Sequence, residues 1–219
     1  YCITDLEHNI KYSMNEKDEF IAASIYKLPL AMLYYDKVNE GEYTLDSTFT
    51  YSGYMHEDAG VISSDYGIGS QVPLSDLLND LIIYSDNDAG HILYENLGGW
   101  KEYKEAMTKY TDSISENYYT MDNVTTANTM NDVVTYLYDH KEDYKGLIKN
   151  MEEAEPGEYL DRDTQLSMPQ KYGIYDSALN SVGFVECNTS YSIVVLTSLG
   201  DKGADVMANI NRIAYEHFK

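Results

Sequence analysis

The chain has 219 residues, which is long enough to bury a sizeable hydrophobic core in one or two domains. Apolar residues make up 43% of it, a fraction typical of a globular protein and not of an acidic disordered tail. Fifteen basic residues against 37 acidic ones give a formal net charge of -22, and such a surface repels nucleic-acid phosphates and anionic lipid. No apolar run reaches the roughly 18 residues of a membrane span. We therefore expect neither nucleic-acid binding nor membrane insertion by this region.

Both ends of the chain predict β-strands. YCITDL and KYSMN are typical of two short strands joined by a turn. Behind a loop at Pro156-Gly157 come three more strand-like stretches, MPQKYGIY, ALNSVGFVE and YSIVVLTS, and the last is apolar enough for a central strand. The chain closes with a helix predicted over about 203 to 218, which carries Val206, Ile210 and Ile213 on one face.

The middle of the chain predicts helices. One begins near Ser24, and a second lies in PLSDLLNDLIIYS with Ser75 as its N-cap. After a break at Ser85-Asp86-Asn87, a third runs to Gly98-Gly99, a common helix stop. Further helices are predicted at about 100–110, 127–140 and 143–153.

This order of elements predicts an α+β fold of the αβ-sandwich type. The terminal strands need partners to bury their faces, so the simple solution is one antiparallel sheet built from both chain ends, with flanking helices and an inserted all-helical lobe. We expect a single domain over 1–219, with an α/β lobe formed by 1–23 and 157–219 and a helical lobe formed by 24–156. A cleft between the lobes is where a site commonly forms.

The stretch SIYKLPL places a hydroxyl and an amine on one helix face, because Ser24 and Lys27 are three positions apart. Pro29 is tolerated if the helix begins near Ser24, since the first-turn N–H groups have no intrahelical partner. A serine is a weak nucleophile until a base takes its proton, and a buried lysine can be that base. Chance is the alternative, because Ser-x-x-Lys is a common string.

Two further stretches have polar residues where a site could use them. Ser85 and Asn87 lie at the break between two helices, where they can relay a proton and hold an amide, although for this stretch alone turn formation is the favoured explanation, because Ser, Asp and Asn all favour such breaks. Lys171-Tyr172-Gly173 lies within a predicted strand, where glycine often marks the close approach of a ligand or another backbone. The alternative for Lys171 is an exposed edge-strand lysine.

The three stretches together match the signature set S-x-x-K, S-D-N and K-T-G, and they occur in that order. The chain therefore resembles the serine β-lactamase and penicillin-binding protein superfamily, and is most similar to the class A β-lactamase catalytic domain. The resemblance covers essentially the whole chain, including the paired N-terminal strands and the closing helix.

The resemblance implies a role for each matching residue. Ser24 is the nucleophile that a β-lactam or peptide carbonyl acylates, and Lys27 accepts or relays its proton. Ser85 passes a proton to the leaving nitrogen, and Lys171 keeps the local potential positive. Substrate-binding positions follow the same resemblance: Asn87 on the substrate amide, the backbone N–H of Ile174 with that of Ser24 as the oxyanion hole, and Tyr172 and Gly173 in the third motif.

Three departures from the family pattern concern the substrate carboxylate and deacylation. Tyr172 stands where the family has a small hydroxyl residue that binds the carboxylate. The two arginines, Arg162 and Arg212, lie outside the strand that would carry a carboxylate-binding arginine. The region that holds the family's deacylating glutamate is shortened, and Glu116 is its best carboxylate, with plain solvent exposure as the alternative.

We thus expect a serine hydrolase of class A β-lactamase type. The alternatives are a non-hydrolysing β-lactam- or peptidoglycan-binding module and a D-Ala-D-Ala peptidase or esterase. The resemblance implies a small-molecule substrate, no cofactor, a monomer and an extracytoplasmic location. No metal is expected, because adjacent residues such as His56-Glu57-Asp58 seldom converge on one ion. Cys2 and Cys187 permit one disulfide, with two free thiols as the alternative.

Overall fold

The computed structural model of the protein describes residues 1–53, 60–120, 122–164 and 166–219. Its strands are β1 (Cys2–Asp5), β2 (Lys11–Ser13), β3 (Glu19–Ile21), β4 (Thr48–Thr50), β5 (Gln71–Pro73), β6 (Val124–Thr126), β7 (Gln170–Tyr175), β8 (Ala178–Val185) and β9 (Tyr191–Thr197). Its α-helices are α1 (Lys27–Asn39), α2 (Val61–Asp65), α3 (Leu74–Ile83), α4 (Asn87–Asn96), α5 (Trp100–Met107), α6 (Ala127–Asp139), α7 (Lys145–Glu152) and α8 (Lys202–Phe218). Short 3-10 turns span Ala23–Tyr26, Thr108–Tyr110 and Lys141–Tyr144.

The largest sheet has five strands in the order β2-β1-β9-β8-β7. Each neighbouring pair is antiparallel, and the strands come from the two ends of the chain. This confirms the predicted α+β fold, with β9 in the central position that its apolar sequence indicated. β3 pairs with β6 and β4 pairs with β5 in two small sheets of two strands.

Helices cover both faces of the five-stranded sheet. α8 packs against β8 and β9, while α6 packs against β1, β8 and β9. Side-chain alternation divides the core accordingly, since Leu179 and Ile193 belong to the cluster under α8 and Val182 and Val194 to the larger cluster among the other helices. The lobe boundaries stay a prediction, because α6 lies within the helical insertion along the chain yet packs directly on the sheet.

The helix predicted to begin near Ser24 has two parts. A 3-10 turn spans Ala23–Tyr26, and α-helical structure begins only at Lys27. Pro29 therefore lies inside the first turn of α1, where a missing N–H removes no intrahelical hydrogen bond. The proline is tolerated for the reason that we predicted, but the α-helix begins three residues later than expected.

Ser75 is not the N-cap of α3, and that prediction was wrong. The helix begins at Leu74, with Pro73 in the capping position. β5 runs up to Pro73, so the chain enters the helix directly from a strand. The backbone N–H groups of Leu74 and Ser75 donate to the carbonyls of Ser47 (2.7 Å) and Leu45 (2.9 Å), which replaces the predicted serine cap.

The apolar face predicted for α8 is largely exposed. Val206 is 38% exposed and Ile213 is 56% exposed. The buried residues of the helix are Gly203, Met207, Ala208, Asn211, Ala214 and Phe218. The close approach at Gly203, where a Cβ would lie 2.4 Å from Thr197 Oγ1, sets which side faces the sheet.

Two remaining sequence questions concern the thiols and the membrane. Cys2 is buried and Cys187 is half-buried, and both thiols are free. Of the helices within the described ranges, none has the length and apolar character needed to cross a bilayer.

Candidate active site

Ser24 lies in the tight turn that links β3 to α1. The preceding residue, Ala23, has a φ of 50°, a left-handed conformation that is unfavourable by roughly 1–2 kcal/mol for a residue with a Cβ. Two amide side chains hold this segment: Asn123 Nδ2 donates to the Ala23 carbonyl (2.9 Å) and Asn180 Nδ2 to that of Ile21 (2.8 Å). Tertiary hydrogen bonds therefore maintain a strained turn directly before the serine.

Lys27 brings three of the predicted site residues together. Its side chain is fully buried, and Nζ lies 3.1 Å from Ser24 Oγ and 3.3 Å from Ser85 Oγ. The same Nζ lies 2.7 Å from Asn87 Oδ1 and 2.5 Å from the Ser85 carbonyl oxygen. The S-x-x-K and S-D-N stretches thus meet around one amine.

The surroundings of Lys27 favour the neutral form of its amine, which can accept a proton. Burial lowers the pKa of Lys27 to about 7, while the carboxylate of Asp86 opposes that shift. Near neutral pH a substantial fraction of the amine is therefore uncharged and has a lone pair within hydrogen-bonding distance of the Ser24 hydroxyl. This is the arrangement that general-base activation of a serine requires.

Asp86 shapes the turn that presents Ser85 and Asn87. Its Oδ1 accepts from the N–H of Ala89 and caps α4 (2.9 Å), and its Oδ2 accepts from the N–H of Ile62 at the start of α2 (3.1 Å). The two helix starts are thus tied to one carboxylate, and Ser85 takes a left-handed φ of 56° between them. Sequence reasoning treated Asp86 as a turn residue, although its position before a helix marks a cap.

Lys171 lies on β7, opposite Val182, and its side chain is fully buried. Among the described residues its Nζ has no hydrogen-bond partner, and the ring centroid of Tyr172 is 4.1 Å away. Burial holds the pKa of Lys171 well below its usual value, and the nearby Lys27 lowers it further. The predicted exposed edge-strand alternative for this lysine is excluded by its burial.

Gly173 allows β7 to touch the turn that carries Ser24. A Cβ at this position would lie 2.7 Å from the backbone nitrogen of Ser24 and 2.8 Å from that of Ile25. Any side chain at this position would therefore push the strand away from Ser24. This agrees with the prediction that glycine in this strand marks a close backbone approach.

Tyr172 lies on the other side of β7. Strand alternation separates it from Lys171 and Gly173, and its ring stacks on that of Tyr159, with centroids 4.9 Å apart. At the open edge of the sheet the ring still reaches the neighbourhood of Lys171 Nζ. Tyr172 is not among the residues that line the cleft in front of Ser24.

The cleft in front of Ser24 is open and has a volume of about 580 Å³. Its lining combines predicted site residues with others from β3, β6 and β7: Ile21, Ala23, Ser24, Tyr26, Asn87, Asp122, Asn123, Val124, Ile174 and Tyr175. Sequence reasoning missed Asp122 and Asn123, which belong to no motif. A signal was available only in hindsight, because both precede the strand β6 that pairs beside the Ser24 turn.

Glu116 lies away from this cleft. It is exposed and lines a separate groove together with Glu19 and Asn117, whose Nδ2 donates to Glu19 Oε2 (2.7 Å). The solvent-exposed alternative for Glu116 is therefore the one that the structure supports. His56-Glu57-Asp58 falls outside the described residues, and those that are described contain no group of three potential metal ligands.

Comparison with known proteins identifies the family of the chain and confirms its fold. The model of the β-lactamase enzyme family matches residues 1–218, and the chain therefore belongs to that family. A β-lactamase from Chitinophaga pinensis is 22% identical and has a TM-score of 0.83, with 100% of this chain and 93% of that one covered. TLA-1 extended-spectrum β-lactamase is 20% identical (TM-score 0.85, 99% and 91% covered), and PBP-A is 18% identical (TM-score 0.85, 99% and 88% covered).

Proposed function

We propose that the protein is a serine hydrolase of class A β-lactamase type that is acylated at Ser24 by β-lactams or related amides and esters. The observation that carries this proposal is the position of Lys27 Nζ, within 3.3 Å of both hydroxyls, Ser24 Oγ and Ser85 Oγ. A buried amine whose pKa is lowered to about 7 can take the serine proton and pass it on.

Acylation then proceeds in two steps. Ser24 Oγ attacks the carbonyl carbon while its proton passes to Lys27 Nζ, and the resulting oxyanion accepts hydrogen bonds from the backbone N–H groups of Ser24 and Ile174. The C–N bond breaks as Ser85 Oγ donates a proton to the nitrogen and is reprotonated from Lys27. Lys27 lies close enough to Lys171 to lower the pKa of that second amine. Asn87 holds the substrate amide at the cleft wall.

Deacylation is where the alternative functions diverge. Water must break the Ser24 ester, and Asp122 is the carboxylate among the described residues that line the cleft, while Glu116 lies elsewhere. Because Glu116, the base expected from the resemblance, lies in a separate groove, slow release of the acyl group is favoured over fast turnover. A non-hydrolysing β-lactam- or peptidoglycan-binding module is therefore the second candidate, and a D-Ala-D-Ala peptidase or esterase uses the same acylation step.

One experiment separates these functions. The protein is mixed with a chromogenic β-lactam, and both colour and intact mass are followed, with Ser24→Ala as the test variant and the exposed Ser198→Ala as the matched control. Steady colour development supports hydrolysis, and a lasting mass increase on Ser24 supports the binding module. If neither occurs, acylation by β-lactams is excluded, and D-Ala-D-Ala peptides and small esters are tested next.

We also propose that the protein acts outside the cytoplasm as a monomer on a small-molecule substrate. The support is family membership, because β-lactamase substrates are met outside the cytoplasm, together with the strongly negative charge of the chain. Fractionation of the producing cell and sedimentation of the purified protein test the two statements. Recovery in the cytoplasm would contradict the first, and a stable dimer the second.

A further inference from the structure

The walls of the Ser24 cleft carry exposed apolar side chains. Ile21 on β3 is 44% exposed, and Tyr175 at the end of β7 is 62% exposed. Both line the cleft, together with the half-buried Val124 on β6. Single exposed apolar residues are ordinary on a protein surface, but several of them around one concave site indicate a surface that binds an apolar group.

Strand pairing places Ile21 and Val124 side by side. The two residues lie directly opposite each other in the antiparallel pair of β3 and β6, so their side chains are on the same face. The pairing continues toward the serine, because the Ala22 N–H donates to the Asn123 carbonyl (2.8 Å). One wall of the cleft is therefore an aliphatic surface that is held in place directly before the Ser24 turn.

Tyr175 leaves β7 on the face that is turned toward the Ser24 turn. Gly173, two residues earlier on the strand, lies against that turn, and a Cβ there would be 3.0 Å from the Ala22 carbonyl oxygen. Side chains two positions apart on a strand share a face and are roughly 7 Å apart, so the Tyr175 ring lies just beyond this contact. Ile21 and Tyr175 thus reach one cleft from two different sheets.

An acyl donor bound at Ser24 presents its acyl substituent to this surface. In the proposed oxyanion hole the carbonyl oxygen accepts from the backbone N–H groups of Ser24 and Ile174, and Ile174 directly precedes Tyr175. A substituent on that carbonyl is therefore within reach of the Tyr175 ring. The cleft volume of about 580 Å³ leaves room for a ring beside the reacting bond.

We propose that the Ser24 cleft selects acyl donors whose acyl group carries an apolar, uncharged substituent, above all an aromatic ring, which packs between Tyr175 and the pair Ile21 and Val124. The inference rests on the proposed acylation of Ser24 and names the substrate class of that site. Tyr175 and Ile21 are then specificity-determining residues, because a bound ring removes their apolar surface from water and can stack on the tyrosine.

The test uses two penicillins that differ in one group, one with a phenylacetyl and one with an acetyl side chain on the same bicyclic nucleus. Both are mixed in equal amounts with the protein, and intact mass at early times gives the ratio of the two Ser24 adducts. This ratio is divided by the ratio of the alkaline hydrolysis rates so that intrinsic reactivity cancels. We expect the phenylacetyl adduct to be favoured about tenfold or more, because partial burial of a phenyl group has an effect of that size.

Four variants identify the surface that causes the preference. Tyr175→Ala removes the ring and Ile21→Ala removes most of the facing aliphatic surface, and we expect each to reduce the ratio at least about threefold. Tyr175→Phe keeps the ring and should retain the wild-type ratio. Ile213→Ala is the matched control, because it removes a side chain that is 56% exposed and lines a separate groove at α8. It should leave the ratio and both rates unchanged.

The outcomes separate the inference from the proposed function. Acylation of Ser24 by both penicillins at equal normalised rates, or a preference for the acetyl compound, overturns the selection while the proposed function stands. Acylation by neither compound overturns the proposed acylation by β-lactams itself. A phenylacetyl preference that Tyr175→Ala and Ile21→Ala both leave unchanged contradicts the assignment to this surface. Thermal unfolding shows whether each variant is folded, and if one of the two is not, the ratio in the other decides.

Discussion

Two buried lysines of the helical region show how partners decide what an amine does. Lys27, buried beside Ser24, contacts two hydroxyls, an amide oxygen and one carbonyl. Lys104 on α5 is 3% exposed and donates only to backbone carbonyls, those of Tyr118 (2.6 Å), Thr120 (2.8 Å) and Asp122 (2.5 Å). Burial lowers the pKa of both amines, so burial alone does not distinguish them.

The difference lies in whether the neighbours can exchange a proton. Backbone carbonyls only accept, so Lys104 serves them best as an ammonium that ties together the loop before β6, the loop that brings Asp122 and Asn123 to the cleft. Hydroxyls both donate and accept, so the Ser24 and Ser85 side chains can pair with Lys27 in either charge state. Lys104 is therefore a structural anchor for the cleft wall, and Lys27 is a candidate proton acceptor beside Ser24.

The largest expected effect belongs to Lys27→Met. Without the amine to take its proton, Ser24 should be acylated about a thousandfold more slowly, as general-base catalysis predicts. The free energy of unfolding should fall by about 1–2 kcal/mol, because the Ser85 carbonyl loses its donor while water in the open cleft can satisfy Ser24 and Asn87. Stopped-flow acylation and urea denaturation measure the two quantities. Acylation of the variant at the wild-type rate would show that Lys27 is not the proton acceptor.

Lys104→Met should affect the stability of the protein more than the acylation of Ser24. Three backbone carbonyls lose their donor at once, so the free energy of unfolding should fall by about 2–4 kcal/mol. Lys101→Met is the matched control on the same helix, where an exposed pair with Glu105 at 3.5 Å contributes about 0.5 kcal/mol or less. Urea denaturation of both variants checks the prediction. Equal stability of the two would show that Lys104 is no anchor.

Gly173→Ala tests the close contact between β7 and the Ser24 turn without changing Lys27 or Lys104. Its new Cβ meets the backbone nitrogen of Ser24 at 2.7 Å, so strand and turn must separate, and acylation should slow by about a hundredfold, since misplacement by about 1 Å has effects of that size. Gly67→Ala is the control, because the nearest atom to its Cβ, Ser70 Oγ, is 3.9 Å away. An unimpaired Gly173→Ala protein would contradict the close approach.

The smallest and most diagnostic effect is on pH dependence. Acylation needs neutral Lys27, so its rate should rise with pH and level off above an inflection at about 7, falling up to about tenfold for each unit below it. Asp86→Asn removes the carboxylate that raises the Lys27 pKa, and the inflection should then move to lower pH. Pre-steady-state rates between pH 5 and about 9 measure it. An inflection near the ordinary lysine pKa would mean that burial does not tune this amine.

Local sequence patterns were enough to predict much of the architecture. The largely apolar stretch YSIVVLTS predicted a central strand, because a strand that is covered on both faces needs little polar surface. Helical spacing predicted that Ser24 and Lys27 are neighbours, and the structure places Nζ and Oγ 3.1 Å apart. Lys171 and Gly173 were predicted from their motif, and both lie on the face of β7 toward the Ser24 turn. These features depend on residues close in sequence or on spacing along one element.

Other features arise only where distant segments pack. The buried side of α8 depends on where Gly203 meets the sheet, and Ser75 lost its predicted capping role because β5 runs directly into α3. The anchoring of Lys104 left no signal, since its acceptors are backbone carbonyls that every residue type carries. The sequence alone determined which groups are available and how they repeat along each element. Tertiary structure decided which of them lose water and meet, because burial and long-range contact belong to the whole packed chain.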